Sequence, residues 1–205
     1  MKKRNVLLFA STLWILFGML YIGREQYQQG IQASIAGKVI RFHVLANSDN
    51  KEDQRIKLAV RDEVGAYMEV LLEDSTGIED SRKRIKEHLL EITKLTNETL
   101  KKEGASYRGI ASLSYSDFPK KEYAGFVFPE GRYEALKIIL GKGEGHNWWC
   151  VMYPNFCFSS CVYQTNQKEW KRFKESLTAK EYRRIMEEGN YTIRLKFLEY
   201  FKRKG

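Results

Sequence analysis

Seventeen uncharged residues, Val6 to Ile22, follow directly on three cations, Lys2, Lys3 and Arg4. The flank beyond them, Arg24 and Glu25, sums to zero. Positive charge stays on the cytoplasmic side of a membrane, so this asymmetry keeps the N-terminus inside and sends everything after it across. As a helix the run is about 26 Å long, a little less than a hydrocarbon core of about 30 Å, which places it between an anchor and a signal peptide. A small-x-small cleavage pattern is met by Ser34 and Ala36, well beyond the end of the run. The expectation is a signal peptide or signal anchor at 1–23, a linker at 24–38, and an extracytoplasmic domain beyond.

What remains is the size of one domain with a single core. Of the residues, 43% are hydrophobic and 13% aromatic, with few prolines, as in a globular protein. A formal charge of +9 suggests nucleic acid until it is divided along the chain. Three of the cations precede the apolar run, and residues 164–205 hold 12 Lys/Arg against 6 Glu, while 24–163 holds 20 of each sign. With a neutral centre and no basic helix or aromatic RNA platform, nucleic acid is excluded as a partner.

Val39 to Leu45 is β-branched and aromatic and ends on the polar Asn47-Ser48-Asp49-Asn50, which predicts a strand. Asp49 with Glu52 reads as an acidic capping box, followed by Ile56, Val60, Val64, Met68 and Leu71 at helical spacing. Thr76 with Glu79 opens a second stripe, Ile85, Leu89, Ile92 and Leu95, running to Gly104 and completing a helical hairpin. From Tyr107 the period changes to two. Strands are predicted around Ala111 to Tyr115, at Tyr123 to Phe128, Tyr133 to Leu140 and His146 to Tyr153, with GKGEG (141–145) as a hairpin turn. Near the end, Thr178 and Glu181 cap a short helix, and Tyr191, Ile193, Leu195 and Phe197 alternate as one more strand. The expected class is α+β: an antiparallel or mixed sheet of about five strands with the helical hairpin on one face. It comprises a domain at 39–163 and a basic helix-strand extension of the same domain at 164–205.

The densest cluster is His146-Asn147-Trp148-Trp149-Cys150, followed by Pro154, Cys157 and Cys161. On a strand the two tryptophans point to opposite faces, and the hairpin covers only one of them. The other requires a second cover, for which the C-terminal helix is available, or a partner. Each Trp removes on the order of 150 to 250 Å² from water when buried, enough to anchor an interface. His146, Asn147, Trp148 and Trp149 are therefore candidate partner-binding residues, with Asn47 and Asp49 as a second group that helix capping also explains. Outside the cytoplasm a Cys150–Cys157 disulfide is chemically permitted, and Cys157–Cys161 is an alternative pairing.

Cys150 with His43, His88 or His146 supplies the residue types of a cysteine hydrolase, but no family-type nucleophile motif surrounds them. There is no CxxC pair or HExxH helix for zinc, and GKGEG lacks the spacing of a phosphate loop. Neither metal, cofactor nor small-molecule substrate is expected, and the chain reads as a non-enzyme. The runs Arg82-Lys83-Arg84 and Lys202-Arg203-Lys204 read as a solvated helix face and tail, with membrane contact as the functional alternative.

Three segments carry a resemblance: Ile40-Arg41-Phe42-His43-Val44-Leu45-Ala46-Asn47-Ser48-Asp49, then Lys57-Leu58-Ala59-Val60-Arg61-Asp62, then Asn147-Trp148-Trp149-Cys150-Val151 leading to Pro154 and Cys157. In order and spacing they resemble the stage II sporulation protein R family. The family typically has Pro-Pro where this chain has Pro154-Asn155, and Cys161 is additional. The resemblance implies a signalling protein made in the forespore and exported into the space between the forespore and mother-cell membranes. There it is needed to activate a membrane-embedded aspartic protease, the stage II sporulation protease, which processes the precursor of a mother-cell sigma factor. The rival classes are an extracytoplasmic cysteine hydrolase and a wall-binding module with an aromatic platform.

Overall fold

The computed structural model describes the backbone of residues 2–123, 126–154 and 167–187, and the side chains of these except 2–8, 10, 167–170 and 187. Helix α1 (Lys2–Ala36) takes in the whole apolar run and continues past it. Residues 24–38, expected as a linker, are helix as far as Ala36, followed by a turn in which Gly37 N donates to Ala33 O. The helix continues because Ile31 and Ile35, one turn apart, pack into the domain, Ile35 with no exposure at all. From Leu13 to Ile22 its large apolar side chains are all more than half exposed. Among the described residues, no helix is long and apolar enough to cross a membrane.

Strand β1 (Ile40–Leu45) is followed by α2 (Lys51–Leu72), α3 (Ile78–Glu87) and α4 (Leu89–Lys102). The expected stripe of α2 is buried from Ile56 to Met68, with Leu72 closing it. Its cap, however, is Asn50, whose side chain accepts from Asp53 N, one position later than the expected Asp49–Glu52 pair. The second helix of the hairpin is broken at His88, whose N–H is shared between Arg84 O and Ile85 O and whose ring Nδ1 lies 2.8 Å from Arg84 O. Ile85 and Ile92 remain in the core on either side of the break. At the start of α3 the cap is displaced too, since Thr76 donates to Asp80 and not to Glu79.

The strands β2 (Gly109–Phe118), β5 (Gly131–Leu140), β1 and β6 (Asn147–Tyr153) form a mixed four-stranded sheet in the order β2-β5-β1-β6. The β1–β5 pair is parallel and the outer pairs are antiparallel. The single strand expected at Tyr123 to Phe128 is a pair of short antiparallel strands, β3 (Lys121–Tyr123) and β4 (Phe126–Phe128). Helices α5 (Gln167–Ser176) and α6 (Ala179–Glu187) follow, and α6 is capped as expected: Glu181 N donates to Thr178 Oγ1, and Thr178 N to the Glu181 carboxylate. The strand expected at Tyr191 to Phe197 lies outside the described residues.

Alternation along the strands divides the interior in two. One face carries Phe42, Val44, Leu136 and Met152 against α2, α3 and α4. The other carries Phe118, Tyr133 and Val151, covered by the end of α1, by β3–β4, and by Phe173 of α5 and Ile185 of α6. Each fully buried Phe or Ile on either face contributes roughly 1.5 to 3 kcal/mol.

Candidate functional site

Because β5 runs parallel to β1 and β6 antiparallel to it, the loops after β1 and between β5 and β6 emerge at the same end of the sheet. They interlock there. Asn47 Oδ1 accepts from Lys142 N at 3.0 Å, and Gly145 N donates to Ala46 O at 3.0 Å. Gly141 (φ 57°) has no room for a side chain, since a Cβ would stand 2.1 Å from Asn47 Oδ1; at Gly145 it would stand 2.2 Å from Ser48 O. The glycine-rich segment is therefore more than a solvated turn: it is the seat on which the Asn-Ser-Asp-Asn loop rests.

Asp49 accepts from His146 N at 2.5 Å, and the same oxygen is paired with His146 Nδ1. This explains why Asp49 does not cap α2: its carboxylate is committed to the opposite loop. These hydrogen bonds from His146 hold the Asp49 carboxyl below its ordinary range.

The centre of the network is Asp53, which sequence reasoning missed. It is 5% exposed. One oxygen accepts from Asn47 Nδ2 (2.8 Å), Ser48 Oγ (2.5 Å) and Asn50 Nδ2 (3.1 Å), and the other from Tyr107 OH (2.6 Å). Burial pushes this carboxyl's pKa up, but the donors, Ser48 and Tyr107 foremost, outweigh it and the net shift is down. Burial and the donation to Asp53 push the Tyr107 phenol up. The missed signal is the reciprocal Asn50-x-x-Asp53 spacing, a capping pattern that competes with Asp49–Glu52 one residue away.

Helix α2 reaches the site with two cations. Lys57, 6% exposed, donates to Gln54 Oε1 and to His146 O at 3.0 Å. Burial, with Arg61 nearby, pulls its ammonium pKa down. Arg61 sits 5.3 Å from the centre of the Trp148 ring, which also meets Phe42 edge-on at 5.5 Å. The tryptophans do point to opposite faces: Trp148 pairs with Val44 and packs on the helical side, while Trp149 pairs with His43 and stacks on its ring at 3.9 Å, edge-on to Phe118. Each is half-buried, and Asn147 between them and the loop is exposed.

Cys150 faces the helical core, 3% exposed, and is disulfide-bonded. Cys157 and Cys161 lie outside the described residues. A bonded sulfur is no thiolate nucleophile. The three histidines do not gather around it either: His43 is on the other face, His88 at the break between α3 and α4, and His146 on the loop. Among the described residues, no group of three or more His, Cys, Asp or Glu side chains is placed to hold a metal ion. Of the basic run on α3, Arg82 is paired with Glu134 of β5 at 2.7 Å and Arg84 donates to Leu71 O, so part of it braces the fold.

Arg41, beside the site, is fully buried on the second face. Its guanidinium lies 4.4 to 5.5 Å from the ring centres of Phe118, Tyr123, Phe128 and Tyr133, and its Nε donates to Cys150 O at 3.0 Å. It thereby pins the backbone of β6 just after the tryptophans.

The three segments singled out in the sequence thus converge at one end of the sheet, where Asp49, Lys57 and Arg61 all touch the stretch from His146 to Trp148. No solved structure matches this chain. A family model described as Stage II sporulation protein R matches residues 36–163. Stage II sporulation protein R of Bacillus subtilis (strain 168) is 36% identical over 161 residues, covering 77% of this chain and 72% of that protein. The matched region holds the interlocked loops, the tryptophan strand and α2 together, and the chain belongs to the stage II sporulation protein R family.

Proposed function

We propose that this chain is an exported sporulation signal that activates a membrane-embedded aspartic protease, the stage II sporulation protease, which processes the precursor of a mother-cell sigma factor. Family membership supplies the role in sporulation. The observation that supports the molecular reading is the convergence of the three segments at one end of the sheet, which we take as the recognition surface. Its polar groups are spent on each other, around Asp53 and between Asp49 and His146, and its one cysteine is bonded. What it offers to a partner is the partly accessible edges of Trp148 and Trp149 on a braced strand, with the exposed Asn147 and His146 beside them. Export of the domain from the forespore, through its basic and apolar N-terminal segment, brings this surface to the protease in the intermembrane space. An activator shifts a protease only by binding its active state more tightly than its inactive one, and a rigid surface loses little conformational freedom in doing so.

The test is co-expression of the chain, the protease and the sigma-factor precursor in a non-sporulating host, with precursor cleavage as the readout. Cleavage that depends on the chain is expected, and Trp148→Ala and Trp149→Ala, made separately, should show at least one loss of about tenfold or more. Full cleavage by both variants in folded form removes the tryptophan strand as the contact, and cleavage without the chain removes the activator role.

A further inference from the structure

The sequence offers two fates for the N-terminal segment, retention or removal at the small-x-small pattern of Ser34 and Ala36. The packing at the end of α1 bears on that choice. Ile35 is completely buried among the second-face residues, with Ile31 packed against them one turn earlier. Between these two, Ser34 Oγ donates to Glu181 Oε1 at 2.5 Å. Just beyond, Lys38 Nζ donates to Glu181 Oε2 at 2.6 Å and to Ser176 O at 2.7 Å. On the other side of the helix Gln32 Nε2 donates to Arg132 O, and its side chain lies over Gly131, where a Cβ would come within 2.4 Å of it. The last turns of α1 and the turn that follows them therefore touch α6, the end of α5 and the start of β5, three elements distant in sequence.

We infer that Ile31–Ala36 is a permanent part of the folded domain, and that the bond after Ala36 is not a processing site of the working protein. Cleavage there would remove Ile31 and Ile35 from the second core and leave Glu181, 2% exposed, without its Ser34 donor. The N-terminal segment is accordingly either kept or cut upstream of Ile31. A segment that is kept has a further consequence. No proline interrupts α1, so the apolar run joins the domain as one helix, with Ile35 only about 20 Å along the axis from Ile22. The domain then stands at one height and one orientation relative to that run instead of on a flexible tether.

The experiment uses the full chain, tagged at its C-terminus and exported from a bacterial host that processes signal peptides. The intact mass of the recovered folded protein is expected to place its first residue at or before Ile31. A recovered chain that begins later and still unfolds in one cooperative transition overturns the inference. A second measurement is independent of processing: in full chain held in detergent, Ile35→Ala should lower Tm by about 10 °C, and Leu16→Ala, at an exposed position of the same helix, by less than about 2 °C. An unchanged Tm for Ile35→Ala overturns the inference as well. Both readouts concern this chain alone, so they stand or fall separately from protease activation.

Discussion

The two faces of the sheet are built from the same four strands and differ in almost everything else. The helical face is closed by α2, α3 and α4, which follow one another directly, and its core is mainly aliphatic with Phe42 at the centre. The opposite face is closed by pieces distant from one another in sequence, the end of α1, β3–β4 and α5–α6, and it buries a guanidinium and an imidazole among aromatic rings. A face made of contiguous apolar stripes is a problem in volume alone. A face assembled at long range also has to find partners for charges, and it becomes sensitive to pH.

The largest effect that tests this contrast comes from two neighbours on β1 that point in opposite directions. Phe42→Ala opens a cavity in the helical core and should cost about 3 to 5 kcal/mol in denaturant unfolding. Arg41→Met removes a buried charge that has ring faces, one carbonyl and one phenol as partners, and fills the cage with apolar volume. It should change stability by less than about 1 kcal/mol, in either direction. Equal losses at the two positions would mean that Arg41 stabilises the second face as much as hydrophobic packing does the first.

Asp53 belongs to neither core. Asp53→Ala would leave Asn47, Ser48, Asn50 and Tyr107 without the acceptor they share, and a loss of roughly 3 kcal/mol is expected. Asn47→Ala, which removes one donor, should cost much less. If the two variants unfold alike, Asp53 is one contact among several and the loops are held by their backbone hydrogen bonds instead.

How much was legible follows the same division. The α2 stripe was readable because it repeats one helical period over several turns and burial enforces that period, whereas β5 and β6 were readable as apolar, β-branched and aromatic runs on either side of a glycine loop, which gave β6 its strand geometry. The opposed tryptophans followed from it. The break at His88 was not readable, since the apolar stripe continues through it and the deviation lies in the backbone. The continuation of α1 was missed for a different reason: Ile31 and Ile35 are two apolar residues in a polar stretch, and their meaning depends on α6, more than 140 residues away. At the site, the two polar loops were read separately, as cap and turn. Their joining is a product of sheet order, which the sequence does not print.

Acid should act on the second face first. Burial, with Lys137 and Arg41 adding to it and the Asn147 side chain opposing it, pulls the His43 imidazole down to about 4. The unfolded chain therefore takes up the proton before the folded one does. The stability due to a neutral His43 is complete above about pH 6.5 and is lost as pH falls from there towards 4, by roughly 2 to 3 kcal/mol. Glu181 follows. Burial raises its pKa, but hydrogen bonds from Lys38, Ser34 and Thr178 outweigh this and bring it to about 2, so its contribution is lost between about pH 4.5 and 2. Denaturant midpoints across pH 7 to 4 should fall for the natural chain and fall less for His43→Phe. Parallel curves would place the titrating group elsewhere.

The smallest expected effect separates the two tryptophans. Trp149 rests on a neutral ring in the second face, whereas Trp148 is held from outside by Arg61, a cation 26% exposed at its side chain and also paired with Asp62. Arg61→Ala removes a cation–π contact worth about 0.5 to 1 kcal/mol at such a site. It should therefore barely move Tm while freeing Trp148, seen as a red shift and greater quencher access of indole fluorescence in a background where Trp14, Trp149 and Trp170 are replaced by Phe. In the protease assay this variant should lose more activity than stability if the position of Trp148 is what the partner reads. Unchanged fluorescence would instead mean that Phe42, on the core side, is enough to hold the ring, and that the cation on α2 serves Asp62 alone.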